Sequence, residues 1–376
     1  MMRLKTICFA LSGMLMISNM QAQETEEKSA FEFTPVHDIK TTSVKSQDRT
    51  GTCWSYSTTS FLETEVIRQG GPELDLSEMY FVRFAYPEKA RLYTMVHGKG
   101  NFSEGGQAHD VMNVLKEHGM ATEEAFPGRI DLTKPHNHSE LASTQSAILD
   151  NYMKQRKTRP SQQWTEVLAA VLNIYMGELP ETVELEGKDL SPVAFAGEMK
   201  INADDYVELT SYSHHPWYSA FSLELPDNWS HDNYYNLPLD ELMQVMNHAL
   251  ENGYSFVWDG DVSEKFFQHK KGAAIVPQAD DAEMKPQAEK SIDQAIRQEA
   301  FLSWNSTDDH LMHITGLSND QEGTPYYKTK NSWGDKSNAF GGYLYMSESY
   351  MRLHTVAIMV HKDALPNAIA KKILKK

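Results

Sequence analysis

A cysteine at the start of a predicted helix is the feature that most constrains this chain. Cys53 is followed by Trp54 and by further apolar residues at helical spacing, and a Gly-Gly-Pro stop follows at residues 70–72. A thiol at a helix N-terminus is favoured as the thiolate, because the helix dipole stabilises negative charge there. Gln47 lies six residues upstream, so its side-chain amide could join the Cys53 N–H in donating to an oxyanion. The ordinary alternative for a lone cysteine is a buried small hydrophobe, but the spacing to Gln47 favours a catalytic thiol.

A histidine motif and an asparagine motif follow far downstream. Residues 307–316 read Thr-Asp-Asp-His-Leu-Met-His-Ile-Thr-Gly and contain His310 and His313. Residues 327–335 read Tyr-Lys-Thr-Lys-Asn-Ser-Trp-Gly-Asp and contain Asn331. Histidine is the usual base for a nucleophilic thiol, and a third group with an accepting oxygen fixes the orientation of the imidazole ring. The two motifs therefore supply the partners that a catalytic cysteine needs.

Together these segments resemble the active-site motifs of papain-like cysteine peptidases, in which a glutamine precedes a Gly-x-Cys-Trp helix start and a histidine and an asparagine follow in that order. The resemblance implies a nucleophile, a base, an orienting residue and an oxyanion donor, which are Cys53, His310, Asn331 and Gln47. It selects His310 over His313, because the family histidine precedes a small or apolar pair and then a run that ends in glycine. His313 falls where the family has a strand residue without a catalytic role.

Three further residues are predicted to contact the substrate or the catalytic pair. Trp333 would shield the hydrogen bond between His310 and Asn331 from water, and an ordinary core tryptophan is a compatible alternative. Gly105 and Gly106 lie in a Ser-Glu-Gly-Gly-Gln-Ala segment that resembles the glycine-rich wall on the non-primed side of the family cleft, where residues before the cleaved bond bind. Glycines let a backbone approach a substrate strand closely. A simple turn before the next helix is the alternative for this segment.

The resemblance narrows to the bleomycin hydrolase and aminopeptidase C branch. The separation of Cys53 from His310 exceeds what a minimal papain-like domain needs, so we expect a large insertion between about residues 121 and 300. Residues 253–262, Gly-Tyr-Ser-Phe-Val-Trp-Asp-Gly-Asp-Val, partly match that branch's Gly-x-Pro-Val-Trp-Phe-Gly-x-Asp-Val strand, with serine in place of proline.

This branch implies a cysteine aminopeptidase that acts on peptides. In the branch, a C-terminal arm lies in the cleft and blocks its non-primed side, and residues 362–370 are long enough to do the same here. They continue into basic residues at 371–376, however, whose charge would repel a substrate ammonium group. An endopeptidase therefore remains an alternative, as does a non-catalytic binding protein on the same fold.

The order of helical and strand signals predicts an α+β fold with two lobes. Helices are expected over most of 52–118 and over 164–175, 239–251 and 291–301, and strands over 254–258, 311–317, 326–330 and 342–346. The helices around Cys53 would form the left lobe, and the strands would form a twisted antiparallel sheet in the right lobe. The cleft between the lobes would join Cys53 to His310 and Asn331.

The first 23 residues have the pattern of a secretory signal peptide: basic residues, an apolar run over 7–17 and a polar exit. A membrane anchor is the alternative, but the run is short for a membrane span and no other stretch approaches one. We therefore expect a mature peptidase domain over 24–376 that is periplasmic or secreted and in which Cys53 is the only cysteine.

Composition and the remaining histidines limit the partners of the chain. A formal net charge of −17 argues against nucleic acid, so peptides are the expected partners, without a cofactor; a homo-oligomer is compatible with the sequence. The pairs His214–His215 and His136 with His138 are the histidine groups that suggest zinc. Neither pair has a cysteine or carboxylate at ligand spacing, and no metal site is predicted.

Overall fold

In the computed structural model, the described residues are 29–155, 157 and 161–374, and the predicted signal peptide at 1–23 lies outside them. The helices are α1 (Cys53–Arg68), α2 (Glu78–Met95), α3 (Ala108–His118), α4 (Ser139–Lys154), α5 (Trp164–Met176), α6 (Pro192–Glu198), α7 (Leu239–Glu251), α8 (Gln294–Leu302), α9 (Glu348–His354) and α10 (Asn367–Ile373). The strands are β1 (Phe33–Asp38), β2 (Val183–Leu185), β3 (Lys188–Leu190), β4 (Tyr206–Thr210), β5 (Ala220–Ser222), β6 (Asn233–Asn236), β7 (Phe256–Gly260), β8 (Phe267–Gln268), β9 (Ala273–Ala274), β10 (His310–Asp320), β11 (Pro325–Lys330), β12 (Tyr343–Ser347) and β13 (Thr355–His361). No helix in these ranges is both long enough and apolar enough to span a membrane.

One long sheet dominates the strand-rich lobe, and β2 and β3 form a separate hairpin. The strand order of the long sheet is β5-β6-β4-β13-β7-β10-β11-β12-β9-β8, and β1 pairs additionally with β10. Most neighbours are antiparallel, but β4–β6 and β9–β12 are parallel. The expectation of a purely antiparallel sheet is therefore wrong at these two pairs. The first parallel pair arises because β5, which runs antiparallel to β6, lies at the edge of the sheet and not between β4 and β6. Strand β6 therefore runs in the same direction as its neighbour β4.

The two faces of the sheet carry separate hydrophobic clusters. In β10, Leu311 joins the cluster built around α1 to α6, whereas Met312 and Ile314 join the cluster built around α7, α9 and α10. In β7, Val257 and Trp258 divide in the same way. Successive side chains of a strand point to opposite faces, so each strand contributes to both clusters. The result is a helical lobe against one face of the sheet, and the predicted α+β class is confirmed.

Local capping and pairing explain where elements depart from the predicted bounds. The helix expected over 291–301 begins at Gln294, because the Asp293 side chain accepts a hydrogen bond from the N–H of Ile296 at 2.9 Å and caps the helix there. The strand expected over 311–317 continues to Asp320, because its second half pairs with β1 as well as with β11. The helix predicted over 239–251 is confirmed at both ends.

Residues 121–300 contribute to both lobes. Helices α4 to α6 pack in the helical cluster, and β4 to β9 enter the sheet. Their assignment as an insertion in a single domain that begins at residue 24 remains a prediction.

The last described helix packs behind the sheet. Ile369 and Ile373 of α10 are buried in the cluster with α7, and the Lys372 ammonium donates to the Glu241 carboxylate at 2.7 Å. Apolar residues four positions apart on one helix face account for this packing. The expectation that residues 362–370 lie in the cleft is therefore wrong.

Candidate active site

Cys53 is the first residue of α1 and lies in the wall of a cleft with a volume of about 500 Å³. Residues 54–66 of this helix are all buried, so the helix cannot shift without disturbing the core. Its start is tied to the glycine-rich segment, since the Trp54 indole N–H donates to the carbonyl of Glu104 at 3.0 Å and the Gly51 N–H donates to the Glu104 carboxylate at 2.7 Å. The thiol is therefore presented by a fixed helix end at the cleft.

His310 lines the same cleft and is hydrogen bonded to Asn331. Its Nε2 atom lies 2.8 Å from Oδ1 of Asn331. The Asn331 oxygen can only accept, so Nε2 carries the hydrogen and Nδ1 is the nitrogen that can take a proton from the thiol. His310 begins β10 and Asn331 follows β11, and these strands are paired with His313 opposite Lys330. The sheet register thus brings the two side chains together.

The cleft disfavours an isolated charge on either the thiol or the imidazole. Burial, helped by the neighbouring carboxylates of Asp308, Asp259 and Asp227, raises the pKa of Cys53 to about 12, against a hydrogen bond from the Leu311 backbone that lowers it. Burial lowers the pKa of His310 to about 4. Transfer of one proton from Sγ to Nδ1 would create two opposite charges within the same cleft, where their attraction offsets part of the loss of hydration. We therefore expect the thiolate and the imidazolium to form together.

Gln47 lines the cleft beside Cys53 with its amide held in one orientation. Its Oε1 accepts a hydrogen bond from the Ser332 hydroxyl at 2.7 Å, and its Nε2 donates to the Thr50 carbonyl at 2.7 Å. An amide nitrogen has two hydrogens, so one remains for a ligand. The role of Gln47 as an oxyanion donor remains a prediction, and the second hydrogen on Nε2 is the one that could donate to the oxyanion.

Trp333 and a second histidine surround the His310–Asn331 pair. The ring centroid of Trp333 lies 5.1 Å from that of His310 and 4.8 Å from that of His269, and 38% of the tryptophan is exposed. Trp333 therefore packs beside both rings, and its role as a cover over the His310–Asn331 hydrogen bond remains a prediction.

The sequence analysis did not single out His269. Burial lowers the pKa of this histidine to about 4, so its ring is neutral and Nδ1 accepts from the Asn331 amide at 3.2 Å. Its Nε2 lies 2.7 Å from the Ser337 hydroxyl. His269 therefore holds the asparagine from the side away from His310. No local motif marks it, because it meets Asn331 only through the packing of β8 and β9 beside β12.

The two glycines form part of the cleft wall, and each has a reason to be glycine. A Cβ atom on Gly105 would lie 1.9 Å from a carboxylate oxygen of Asp227, and one on Gly106 would lie 3.0 Å from the Trp54 ring. The Gly105 carbonyl accepts from the ammonium of Lys89 at 2.6 Å. This segment is a fixed, closely packed wall, and its contact with substrate remains a prediction.

His313 does not reach the cleft. It is fully buried beneath α1, with Nδ1 3.0 Å from the hydroxyl of Ser60, which in turn accepts from the ammonium of Lys330 at 2.8 Å. The structure therefore separates the two histidines of the motif, His310 in the cleft and His313 in the core.

The pair His214 and His215 has a carboxylate neighbour that the sequence did not indicate. The side chain of Glu224 lies 3.3 Å from Nε2 of His214 and 2.8 Å from Nε2 of His215, because the chain reverses around β5. The statement that this pair lacks a carboxylate partner is therefore wrong. Gln298 donates to Nδ1 of His214 at 3.0 Å while its oxygen accepts from Ser213, so Nε2 of His214 carries a hydrogen and donates to Glu224. That nitrogen is not set up as a metal ligand, and we assign no metal here.

Comparison with known proteins gives consistent matches over most of the chain. The family described as Peptidase C1-like matches residues 99–376. Aminopeptidase G of Lactobacillus delbrueckii subsp. lactis is 24% identical over 373 residues, which cover 87% of this chain and 83% of that protein. Aminopeptidase C of Listeria innocua is 22% identical over 369 residues, covering 88% and 82%. The crystal structure of PepW from Lactobacillus rhamnosis superposes with a TM-score of 0.72 at 18% identity, covering 90% of this chain and 84% of PepW.

Proposed function

The chain belongs to the Peptidase C1-like family, and on that premise we propose that it is a cysteine aminopeptidase, which removes residues from the N-termini of peptides. The predicted resemblance to papain-like peptidases of the bleomycin hydrolase and aminopeptidase C branch is confirmed by this family and by the aminopeptidases among its relatives. One observation carries the proposal for the site. Cys53, at the N-terminus of α1, lines the same cleft as His310, and Nε2 of His310 is hydrogen bonded to Oδ1 of Asn331.

The geometry supports acyl transfer in two steps. His310 takes the thiol proton on Nδ1, and the sulfur of Cys53 attacks the carbonyl carbon of the first peptide bond. The oxyanion that forms is stabilised by the Cys53 N–H and by the remaining amide hydrogen of Gln47. His310 then gives its proton to the leaving amine, which leaves a thioester on Cys53. Water attacks the thioester with His310 as the base, and the free amino acid and the thiol are released.

One observation favours the second candidate, an endopeptidase. The described C-terminal residues pack against α7, so they do not block the non-primed side of the cleft. The names of the relatives and the acidic lining of the cleft, which attracts a free ammonium group, favour the aminopeptidase.

Substitution of the nucleophile tests the peptidase function. Cys53→Ser and Cys53→Ala should abolish hydrolysis of aminoacyl-coumarin substrates, while the melting temperature stays within a few degrees of the wild type, because the change in size is small. The matched control is Ser57→Ala, on the same helix but outside the cleft lining. Unchanged turnover in Cys53→Ser would sink the assignment. A wild-type thiol that reacts with iodoacetamide no faster than free cysteine, together with no hydrolysis, would favour the non-catalytic binding protein.

Export is the second part of the proposal. The basic, apolar and polar succession over residues 1–23 supports removal of this segment and a periplasmic or secreted mature chain. N-terminal sequencing of protein made in its native host should begin near residue 24. A first residue of Met1 in the membrane fraction would instead support an anchor.

A further inference from the structure

The cleft that contains Cys53 is strongly acidic. Its lining includes four carboxylates, those of Glu104, Asp227, Asp308 and Asp309, and no lysine or arginine from the described part of the chain. Like charges gathered in a partly enclosed space repel one another, so they favour a ligand of opposite charge. Acidic side chains alone do not make a site, however, and the argument depends on how they are held.

Two of the carboxylates are fixed to the glycine-rich wall. Asp227 lies directly against Gly105 and accepts from the Asn101 amide at 2.5 Å. Asp308 accepts from the Gln107 amide at 2.8 Å. Both carboxylates are therefore presented beside the segment that is predicted to bind the residues before the cleaved bond.

A third carboxyl group lies behind them and is left without a donor. Asp259 of β7 is 3% exposed, and neither of its oxygens receives a hydrogen bond from a described residue. Its carboxyl group lies against that of Asp308, which has no proton to give when ionised. A buried acid without a donor is costly unless a cation or a proton joins it. Burial, and then the charge of Asp308, raise the pKa of Asp259 well above its usual range, so the two carboxyl groups share a proton and keep one negative charge for a positively charged ligand.

Lys89 interacts electrostatically with Asp227 and Asp308, but its hydrogen bond is to the backbone and not to either carboxylate. The ammonium of Lys89 donates to the Gly105 carbonyl at 2.6 Å, and Lys89 is not part of the cleft lining. The described C-terminal residues lie against α7, so none of the residues up to 374 extends from there into the cleft. The acidic charge of the cleft thus comes from side chains and faces the space that a substrate would occupy.

We infer that Asp227, Asp308 and Asp259 form a subsite for a positively charged group of the peptide substrate, namely the free α-ammonium at its N-terminus. The inference rests on the proposed peptidase function and deepens it, because it assigns the choice between free and blocked N-termini to these side chains. A basic side chain in the residue before the cleaved one offers the same chemistry, and the experiment separates the two sources.

Two pairs of fluorogenic substrates provide the test. The first pair is alanyl-coumarin with a free amine and its acetylated form. The second is acetyl-Lys-Ala-coumarin and acetyl-Leu-Ala-coumarin, which differ in a side-chain charge. For each pair, the ratio of kcat/KM for the charged substrate to that for the uncharged one is measured in the wild type, Asp227→Asn, Asp308→Asn and Asp227→Glu. The control is Asp280→Asn, which removes an exposed carboxylate paired with Lys290.

The wild type should prefer the free amine in the first pair. Asp227→Asn and Asp308→Asn should each lower that ratio about 10- to 100-fold, chiefly through KM, as expected for loss of a charge-assisted hydrogen bond. Asp227→Glu should restore part of the ratio, and Asp280→Asn should leave it unchanged. A preference for the Lys substrate that disappears in the same variants also supports the subsite, with a side chain as the source of charge.

Other outcomes overturn the inference and tell it apart from the proposed function. If the wild type hydrolyses the substrates but shows no preference in either pair, or keeps its preference in both Asn variants, the subsite is refuted and the peptidase stands. If the wild type hydrolyses none of the four substrates, the proposed function fails and the inference fails with it. Melting temperatures of the variants show whether Asp227→Asn folds, and Asp308→Asn provides an independent reading if it does not.

Discussion

Ser332 donates its hydroxyl hydrogen to Oε1 of Gln47 at 2.7 Å, across 285 positions of sequence. The two residues are also joined through their backbones, since the Gln47 N–H donates to the Ser332 carbonyl at 2.9 Å. The Ser332 N–H in turn donates to Oδ1 of Asn331. Ser332 therefore connects Gln47, the predicted oxyanion donor, with Asn331, the residue that is predicted to orient the base.

Removal of that hydroxyl should weaken catalysis without affecting the thiol. In Ser332→Ala, Oε1 of Gln47 loses its donor and the amide is held only by its hydrogen bond to the Thr50 carbonyl, so kcat should fall about 3- to 10-fold, the usual worth of a neutral hydrogen bond. The rate of Cys53 alkylation by iodoacetamide should stay the same. An equal loss of alkylation would mean that Ser332 acts through Asn331 rather than through Gln47.

Gln47→Ala should have the larger effect. Loss of one donor to the oxyanion lowers kcat by about 10² to 10³, with KM nearly unchanged, because the donor acts mainly in the transition state. Steady-state kinetics on alanyl-coumarin measure this. Gln47→Glu serves as a near-isosteric control that removes the donor while keeping the volume. If the alanine variant also loses alkylation, Gln47 shapes the thiolate instead.

The two histidines of the motif should separate cleanly in a labelling experiment. His310→Ala should abolish rapid alkylation of Cys53 at pH 7, because no base remains to take the thiol proton. His313→Ala should leave the alkylation rate nearly intact and lower the melting temperature, because His313 is buried against Ser60. The opposite pattern would reassign the base.

His269 is predicted to act as a positioning residue. In His269→Ala, the Asn331 amide loses its acceptor, so kcat should fall about tenfold while KM changes little. His269→Asn places an oxygen near the position of Nδ1 and should recover part of the rate. The acidic limb of the kcat/KM profile, which reports the ionisation of His310, should shift in the alanine variant and return in the asparagine variant. A loss of stability with no shift in that limb would indicate a purely structural role.

The preference for a free amine should depend on pH in a defined window. Burial, and then the charge of Asp227, raise the pKa of Asp308 to about 7. The titratable groups that interact with Asp308 are Asp227, Asp259, Asp309, Lys89, Cys53, Tyr212 and Tyr234. Below pH 7 the carboxyl group is neutral and attracts an ammonium weakly, so the preference should rise as the pH passes 7.

The preference should fall again above about pH 8, where the α-amino group of the substrate loses its proton. The measured quantity is the ratio of kcat/KM for alanyl-coumarin to that for its acetylated form, since ionisations of Cys53 and His310 cancel in the ratio. Asp308→Asn should remove the rising limb and keep the falling one. A rising limb that persists in this variant would assign it to another group.

Local motifs were enough to predict the parts of the site that the chain presents in short segments. Cys53 begins a helix because the residues after it have helical periodicity, and His310 lies at the start of a strand that alternates between two cores. The approximate position of Trp333 followed from its proximity to Asn331 in the sequence.

Residues that meet across the fold could not be predicted in this way. His269 and Asp259 carry no local pattern, and their partners, Asn331 and Asp308, are defined only once β7 to β12 are assembled. Glu224 reaches the histidine pair through a reversal of the chain around β5 that spacing does not encode. The packing of α10 was also missed, because Ile369 and Ile373 acquire a partner only when α7 is in place.

The position of β13 gives the molecule a built-in order of assembly. Although it is the last of the described strands, it lies between β4 and β7, and among those strands it alone connects β5, β6 and β4 to the rest of the sheet. Asp227 is carried between β5 and β6. During synthesis, the strand that begins at His310 can pair with β7 and β11 before the segment with Asp227 has a sheet to join, because β13 is made after them. Of the acidic residues that line the cleft, Asp227 therefore reaches its place last, when the ribosome has released residues 355–361.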